Sequence, residues 1–442
     1  MKITISIILL SLAAPMVGAA QRAWTMDRCV SYALKHATEV RRQNIEQRQK
    51  RVDYRTALLD FLPQVSAQIG GQYSWGRNID PETNTYNNVT TFNNNYSLSA
   101  SMPLFDGGLT WNALRKARLA KNSSATAVQK ARDDKAIDVM RKFVEAVYAV
   151  KSIGLMQAKL DDSQALLRKT RRLYELGEKS RPDVVQMESQ VAEDDYNLLH
   201  QRNTARLALL SLKSAMNYPA SDTLTLDTAL TAEPAVMPRR EAVDFTAIAP
   251  KPDVAIAEAD AAAARLDWKM QRATLLPSLY LGAGVSTSYY KNLSSGMAAD
   301  GFRAQMRNNL GEYVYLTLSI PIFSPGSWRS VKRAKTDYHL ALLDVEDARR
   351  KLEDDARQAV TDYEGYAAEV RQMRRKSASD SLAYRQSYRK YEEGMLSTFD
   401  LHEASQAYLE SSLTLLQLQM MAAIKLRLVN YYINNTPLWT SD

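Results

Sequence analysis

Residues 174–184 read YELGEKSRPDV and residues 391–401 read YEEGMLSTFDL. Tyr174, Gly177, Ser180 and Asp183 of the first stretch return as Tyr391, Gly394, Ser397 and Asp400 of the second, each 217 positions later. Ser180-x-x-Asp183 and Ser397-x-x-Asp400 each resemble a capping box, in which the serine accepts a bond from the first helical turn and the dipole favours the acid. Each stretch therefore turns one helix into another. Two further anchors repeat in the same order. Leu62-Pro63 returns as Leu276-Pro277 at an offset of 214, and Met102-Pro103-Leu104-Phe105 as Ile320-Pro321-Ile322-Phe323 at 218. The chain is a tandem duplication, each copy reading helix, strand, loop, strand, very long helix, turn, helix.

The helices on either side of the turns carry sustained heptads. No proline lies between Asp106 and Leu176, and Val139, Ala146, Ile153, Leu160, Leu167 and Tyr174 recur every seventh residue. Val184, Val191, Leu198, Ala205 and Leu212 answer them after Pro182, and the second copy has matching series from Val331 to Met373 and from Leu401 to Val429. About 70 residues at ~1.5 Å each make a rod of roughly 100 Å, which needs antiparallel partners along its length. Alanine, serine and threonine at intervening positions allow close approach, as in a curved helical wall. A plain extended coiled coil satisfies the same heptads.

Strands are predicted at 64–76, 92–103, 278–290 and 312–322. Val65, Ala67, Ile69, Gly71, Tyr73 and Trp75 share one face, and Leu279, Leu281, Ala283, Val285, Thr287 and Tyr289 do so in the second copy. Each strand is about ten residues long with one apolar face, enough to cross a bilayer when tilted, and the connections Gly76–Thr91 and Lys291–Gly311 are polar. A soluble sandwich can show the same alternation. Four strands cannot close a barrel in lipid, so several chains must share one: two would give the smallest known closure, three would give twelve strands.

Composition narrows the class. Charged residues make up 24% and hydrophobic ones 45% of the 442, so a packed structure is expected, and 16 glycines with 14 prolines imply long elements. The net charge of +8 comes from 57 basic and 49 acidic residues interspersed along the chain, which argues against nucleic acid. A single cysteine, Cys29, excludes an intrachain disulfide, and neither cysteine nor the scattered His36, His200, His339 and His402 has metal-ligand spacing. No cofactor, metal site or catalytic constellation is predicted, nor a phosphate-binding loop.

Residues 1–20 carry Lys2, an apolar run from Ile3 to Ala14 and small residues up to Ala20, the pattern of an export signal. No later window of ~18 apolar residues is expected to span a membrane as a helix. The domain plan is thus a signal at 1–20, a first repeat at 21–218 with its turn at 177–182, a connecting segment at 219–252, a second repeat at 253–432 with its turn at 393–399, and a tail at 433–442.

Taken together, the signal, paired hairpins, long helices and duplication resemble the TolC-like outer membrane factor family over nearly all of the mature chain. The residues that carry this are Phe61-Leu62-Pro63, Pro103-Leu104-Phe105-Asp106-Gly107-Gly108 and Tyr391-x-x-Gly394-x-x-Ser397-x-x-Asp400-Leu401. The opening helix departs from the family pattern, with Ala37-Thr38 where Asn-Pro is usual; the second copy keeps Pro252-Asp253. The resemblance implies an α+β homotrimer: twelve strands form an outer-membrane barrel and long antiparallel helices continue it through the periplasm. Such a duct is passive, not an enzyme, and takes its cargo from an inner-membrane transporter through a periplasmic adaptor. It further implies that the turns form a tip closed at rest. Asp400 and Glu403 match two acidic residues of a pore ring that favours cations, and Tyr391 and Asp183 match a clasp. The family's tip arginine falls on Leu396, with Arg181 a possible substitute. Gly177, Ser180, Gly394 and Ser397 shape the turns, and Tyr73, Trp75, Tyr96, Tyr289, Tyr290, Tyr313 and Tyr315 are candidates for aromatic girdles against outer-membrane lipid. A periplasmic or surface coiled-coil scaffold with a soluble hairpin cap is the other reading of the same residues.

Overall fold

The computed structural model describes residues 23–80, 84–228, 244–294 and 301–439. The expected export signal at 1–20 lies outside them, as do parts of the connecting segment, both hairpin loops and the tail. Helices α1 (Met26–His36) and α2 (Thr38–Leu59) lead to strands β1 (Gln64–Asp80) and β2 (Thr85–Phe105), then to α3 (Leu109–Glu175) and α4 (Arg181–Met216). A 3-10 turn at Phe245–Ala247 precedes α5 (Pro252–Ala273), β3 (Ser278–Asn292), α6 (Phe302–Asn308), β4 (Gly311–Ser319), α7 (Pro325–Glu392) and α8 (Thr398–Tyr432). The two long helices α3 and α7 have 67 and 68 residues.

The chain divides into two compact units. One comprises the described residues up to Val40, Arg132–Ile248 and those from Ala356 onward; the other comprises Arg41–Ala131 and Ala249–Asp355.

In the second unit the four strands form one antiparallel sheet in the order β1-β2-β3-β4, so β1 and β4 are its edges. Side chains alternate as the pleat requires: Val65, Ile69, Tyr73 and Trp75 of β1 are all exposed on one face, as are Val314, Leu316 and Leu318 of β4. Apolar exposure on this scale is costly in water unless another surface covers it.

The strands depart from the sequence expectation in two regions. The polar stretch predicted to be a loop from Gly76 to Thr91 mostly continues the ladder, with pairs from Gly76↔Val89 to Asp80↔Thr85, and Asn84 takes a left-handed φ of 51° at the turn. Asparagine and threonine look like loop residues in isolation, yet backbone pairing with a neighbour does not depend on side-chain polarity. Conversely β4 stops at Ser319 rather than 322, because Pro321 has no N–H to give to the ladder. The second connection also contains α6, which no periodicity announced.

Glycine permits one feature of this sheet. Gly282 pairs with Tyr315 and Gly284 with Tyr313, and each phenol ring lies over the bare backbone of its partner. At the end of β2, Asp106 accepts bonds from the backbone N–H groups of Gly108 (3.0 Å) and Thr110 (2.8 Å). It thereby caps α3, and Gly107, at φ +69°, lies where a Cβ would come 2.9 Å from the carbonyl oxygen of Ala273. That is the physical content of the Asp106-Gly107-Gly108 motif.

In the first unit, Cys29, Val30 and Ala33 of α1 pack with Phe143 and Val147 of α3, Leu212 and Met216 of α4 and Met420 of α8, all fully or almost fully buried. Burial pushes the Cys29 thiol up to about 12, so it stays protonated and behaves as a small apolar side chain. Helix α1 ends without a proline: Ala37 is extended (φ −61°, ψ 130°), and the amide of Asn217 donates to the carbonyl of His36 at 3.0 Å. Against expectation, α8 does contain an 18-residue window long and apolar enough to cross a membrane by length and composition, and little of it is buried within the chain. Leucines and methionines there are spaced by serine, threonine and glutamine, which hides the run from a simple count.

Candidate tip and channel site

The two helical turns share one construction. After α3, Gly177 takes φ +79°, its N–H donates to the Tyr174 carbonyl at 3.0 Å, and that of Glu178 donates to the Leu173 carbonyl at 2.9 Å. After α7, Gly394 takes φ +76°, its N–H donates to the Tyr391 carbonyl at 3.1 Å, and that of Met395 donates to the Lys390 carbonyl at 2.8 Å. Both are Schellman stops, which satisfy the last free carbonyls of a helix and need a residue without a Cβ at the left-handed position.

The restarts are equally local. The Asp183 carboxylate accepts from the backbone N–H of Ser180 at 2.9 Å and from its hydroxyl at 2.6 Å. These bonds hold the Asp183 carboxyl below the usual carboxylate range. At α8 the Asp400 N–H donates to the Ser397 hydroxyl oxygen at 3.1 Å, and that hydroxyl donates to the Asp400 carboxylate at 2.7 Å.

Between the turns the helices of this unit meet in a small core of Leu166 (α3), Met187 (α4), Tyr391 (α7) and Leu401 (α8), with Leu396 packed against it. Tyr391 is 1% exposed, and its hydroxyl lies 2.7 Å from that of Thr170 on α3. Lys169 and Glu392 pair at 3.3 Å beside it. One helical turn or more away, the Tyr384 hydroxyl donates to Asp162 at 3.0 Å, so α3 and α7 are stitched by successive polar contacts.

Tyr391 is bound to Thr170 and Asp183 to Ser180, with no bond between Tyr391 and Asp183. The tyrosine sits in the last turn of α7 and faces inward, whereas the capping bonds hold the aspartate at the start of α4. Leu396 makes apolar contact, and Arg181 is exposed with no ion pair or hydrogen bond among the described residues. Asp400 and Glu403 are both exposed on α8. Sequence reasoning missed Thr170, and nothing sets it apart from the other small residues of α3.

The aromatic residues fall into groups. Tyr73 and Trp75 stack on each other, as do Tyr313 and Tyr315, with ring centroids 6.2 and 6.1 Å apart. Tyr96 and Tyr289 instead meet Phe302 of α6 at 6.3 and 5.3 Å. The backbone of Tyr290 exchanges two 2.9 Å bonds with the amide of Gln305. Helix α6 thus covers part of the sheet that the sequence left for lipid or neighbours. Phe92 and Phe302 belong to this aromatic set and were not anticipated.

The outer membrane efflux protein model matches residues 29–218 and 246–428, the two halves of the described chain. Solved structures share the fold. The outer membrane protein VceC from Vibrio cholerae is 15% identical with a TM-score of 0.76, covering 92% of this chain and 95% of that one. The CmeC outer membrane channel of Campylobacter jejuni is 14% identical with a TM-score of 0.76, covering 93% and 87%. The MtrE outer membrane channel of Neisseria gonorrhoeae, in its open state, is 17% identical with a TM-score of 0.73, covering 91% and 87%. No curated protein sequence matches significantly. By the family model, which covers well over half of its length, the chain belongs to the outer membrane efflux protein family, whose members are TolC-like channels of the outer membrane that extend into the periplasm.

Proposed function

We propose that three copies of this chain close one twelve-stranded pore and one helical tunnel, a passive duct for efflux or type I secretion. Family membership supports the efflux-channel role itself. The observation that carries the assembly is the sheet: β1 and β4 are edges, and both bear exposed apolar side chains. In a bilayer an unpaired edge leaves backbone groups without partners at several kcal/mol each, so only closure with further strands makes it viable. The largely uncovered apolar surface of α8 asks for neighbours in the same way.

In this reading the repeats are 21–218 and 253–432, with 219–252 between them and the tail at 433–442. The turns at 177–182 and 393–399 form the periplasmic tip, where cargo enters from an inner-membrane transporter through an adaptor. Tyr391 and Leu396 help hold the tip shut, and Asp400 and Glu403 face the constriction. Tyr73, Trp75, Tyr313 and Tyr315 supply aromatic contacts at the membrane interfaces.

Membrane fractionation and planar bilayers test the assembly. A duct stays in the outer-membrane fraction through salt washes, is extracted by detergent as a trimer and conducts ions. Material that washes off in salt and remains monomeric without detergent would be a scaffold instead.

A further inference from the structure

Close to the tip turns, the helices line a partly open cavity of about 60 Å³ with an unusual wall. Lys159 and Asp162 reach it from α3, Asp194 from α4, Tyr384 from α7, and Thr398 and His402 from α8. The Lys159 and Asp194 side chains are 9% and 2% exposed and approach to 3.3 Å. Asp194 also accepts from the Gln190 amide at 2.9 Å. Yet the Lys159 ammonium, the second Asp194 carboxylate oxygen and the Thr398 hydroxyl are buried with no hydrogen-bond partner among the described residues.

Polar atoms buried in this way normally bond to water, and the cavity has room for a few molecules at ~10–15 Å³ each. Neither sign of ion suits it: a cation meets the Lys159 ammonium, and an anion meets the carboxylates of Asp162 and Asp194. A proton is the remaining charged species, and His402 is the group in this wall whose ordinary value lies nearest neutral pH. The groups facing it are Lys159 and Asp162 on α3, Glu193 and Asp194 on α4, Tyr384 on α7 and Glu403 on its own helix.

We propose that His402 is the proton acceptor of a latch between the α3/α4 and α7/α8 pairs. Charging its half-buried imidazole calls for water and sets it against Lys159, which loosens the first turns of α8 from α3. The proposal rests on the reading of these turns as a closing tip. Burial first, and Lys159 second, hold the packed imidazole neutral below its ordinary value, and Glu193, Asp194 and Glu403 only partly oppose them. A parted tip admits water and restores an ordinary imidazole, so the parted state binds more protons. Acid therefore favours parting, in the window at and below about pH 6.5.

The test compares the full-length protein with His402→Gln and His402→Lys in planar bilayers at about pH 7.5 and about pH 5.5. Wild-type conductance is expected to rise several-fold in acid. His402→Gln is expected to stay at the low value at both pH values, and His402→Lys to conduct at neutral pH as acidified wild type does. A His402→Gln channel that keeps the wild-type acid response overturns the latch. Should no variant conduct at any pH, the duct reading fails, and thermal unfolding of the detergent-extracted protein still decides the matter. Acid should lower the wild-type midpoint more than that of His402→Gln, and parallel falls overturn the proposal.

Discussion

The hydroxyl of Tyr391 lies 2.7 Å from that of Thr170, with the two residues 1% and 0% exposed. They stand on α7 and α3, 221 residues apart, so this bond joins the end of one long helix to the other. The two hydroxyls differ in what they can do once the other is gone. Tyr391→Phe is expected to destabilise by about 1 kcal/mol, since Thr170 can turn its hydroxyl to its own helix backbone. Thr170→Val leaves the phenol without that escape and is expected to cost about 1–3 kcal/mol. A double-mutant cycle read by thermal unfolding should show coupling of about 1 kcal/mol, and both variants should raise the resting conductance. Coupling of Tyr391 to Asp183 instead, with none to Thr170, would restore the clasp that the family resemblance implied.

The Ser180–Asp183 cap gives a pH dependence of definite sign. Because the folded carboxyl is depressed, its stabilisation is complete above the ordinary carboxylate value and is lost as pH falls through the lower, folded one. Hydrogen exchange of the first α4 amides should therefore be faster in Asp183→Ala than in wild type at neutral pH, by an opening cost of about 1 kcal/mol. The difference should shrink below about pH 4. A gap that persists undiminished in strong acid would mean that the charge of Asp183 contributes nothing to the cap.

In the sheet, the Gly–Tyr pairs predict which glycines tolerate a side chain. A Cβ at Gly284 would stand 2.6 Å from the Tyr313 hydroxyl oxygen and 2.9 Å from the Leu98 carbonyl, and one at Gly282 would collide with the Tyr315 ring. Gly282→Val and Gly284→Val should each destabilise by about 1–3 kcal/mol and reduce the heat-resistant assembled form on gels. Gly70 has nothing within 4 Å of such a Cβ, so Gly70→Ala is the control expected to assemble normally. Rescue of Gly282→Ala by Tyr315→Ala would locate the clash in the ring itself.

These positions show where the sequence was legible. The long helices and their turns could be read because heptads and the Gly-x-x-Ser-x-x-Asp spacing act within a few residues. The far end of the β1–β2 hairpin could not: residues 77–80 and 85–90 include several asparagines and threonines, and only pairing between the two strands makes them a ladder. Lys159 and Asp194 were passed over for a related reason. Each adjoins or falls between apolar heptad positions, Leu160 for the lysine and Val191 and Leu198 for the aspartate, where a charge normally meets solvent. Their burial comes from packing between helices hundreds of residues apart in the chain. The same holds for Thr170, one small residue among many until Tyr391 is set beside it.

Asp400 is both a cap and a candidate ring charge, and the two roles can be separated. Its carboxylate accepts from the Ser397 hydroxyl at 2.7 Å, whereas Glu403, one helical turn on, is exposed with no bond in the chain among the described residues. Glu403→Gln therefore removes a charge without touching the cap, and Asp400→Asn keeps an acceptor for the serine. If two carboxylates from each of three chains line the constriction, both substitutions should move the reversal potential toward zero in a salt gradient. The shift should be larger in dilute salt, because the screening length falls from about 10 Å at 0.1 M to about 3 Å at 1 M. Ordinary helix-surface charges lying away from the conduction path would leave the reversal potential unchanged even at the lowest ionic strength, and that result would remove Asp400 and Glu403 from the pore.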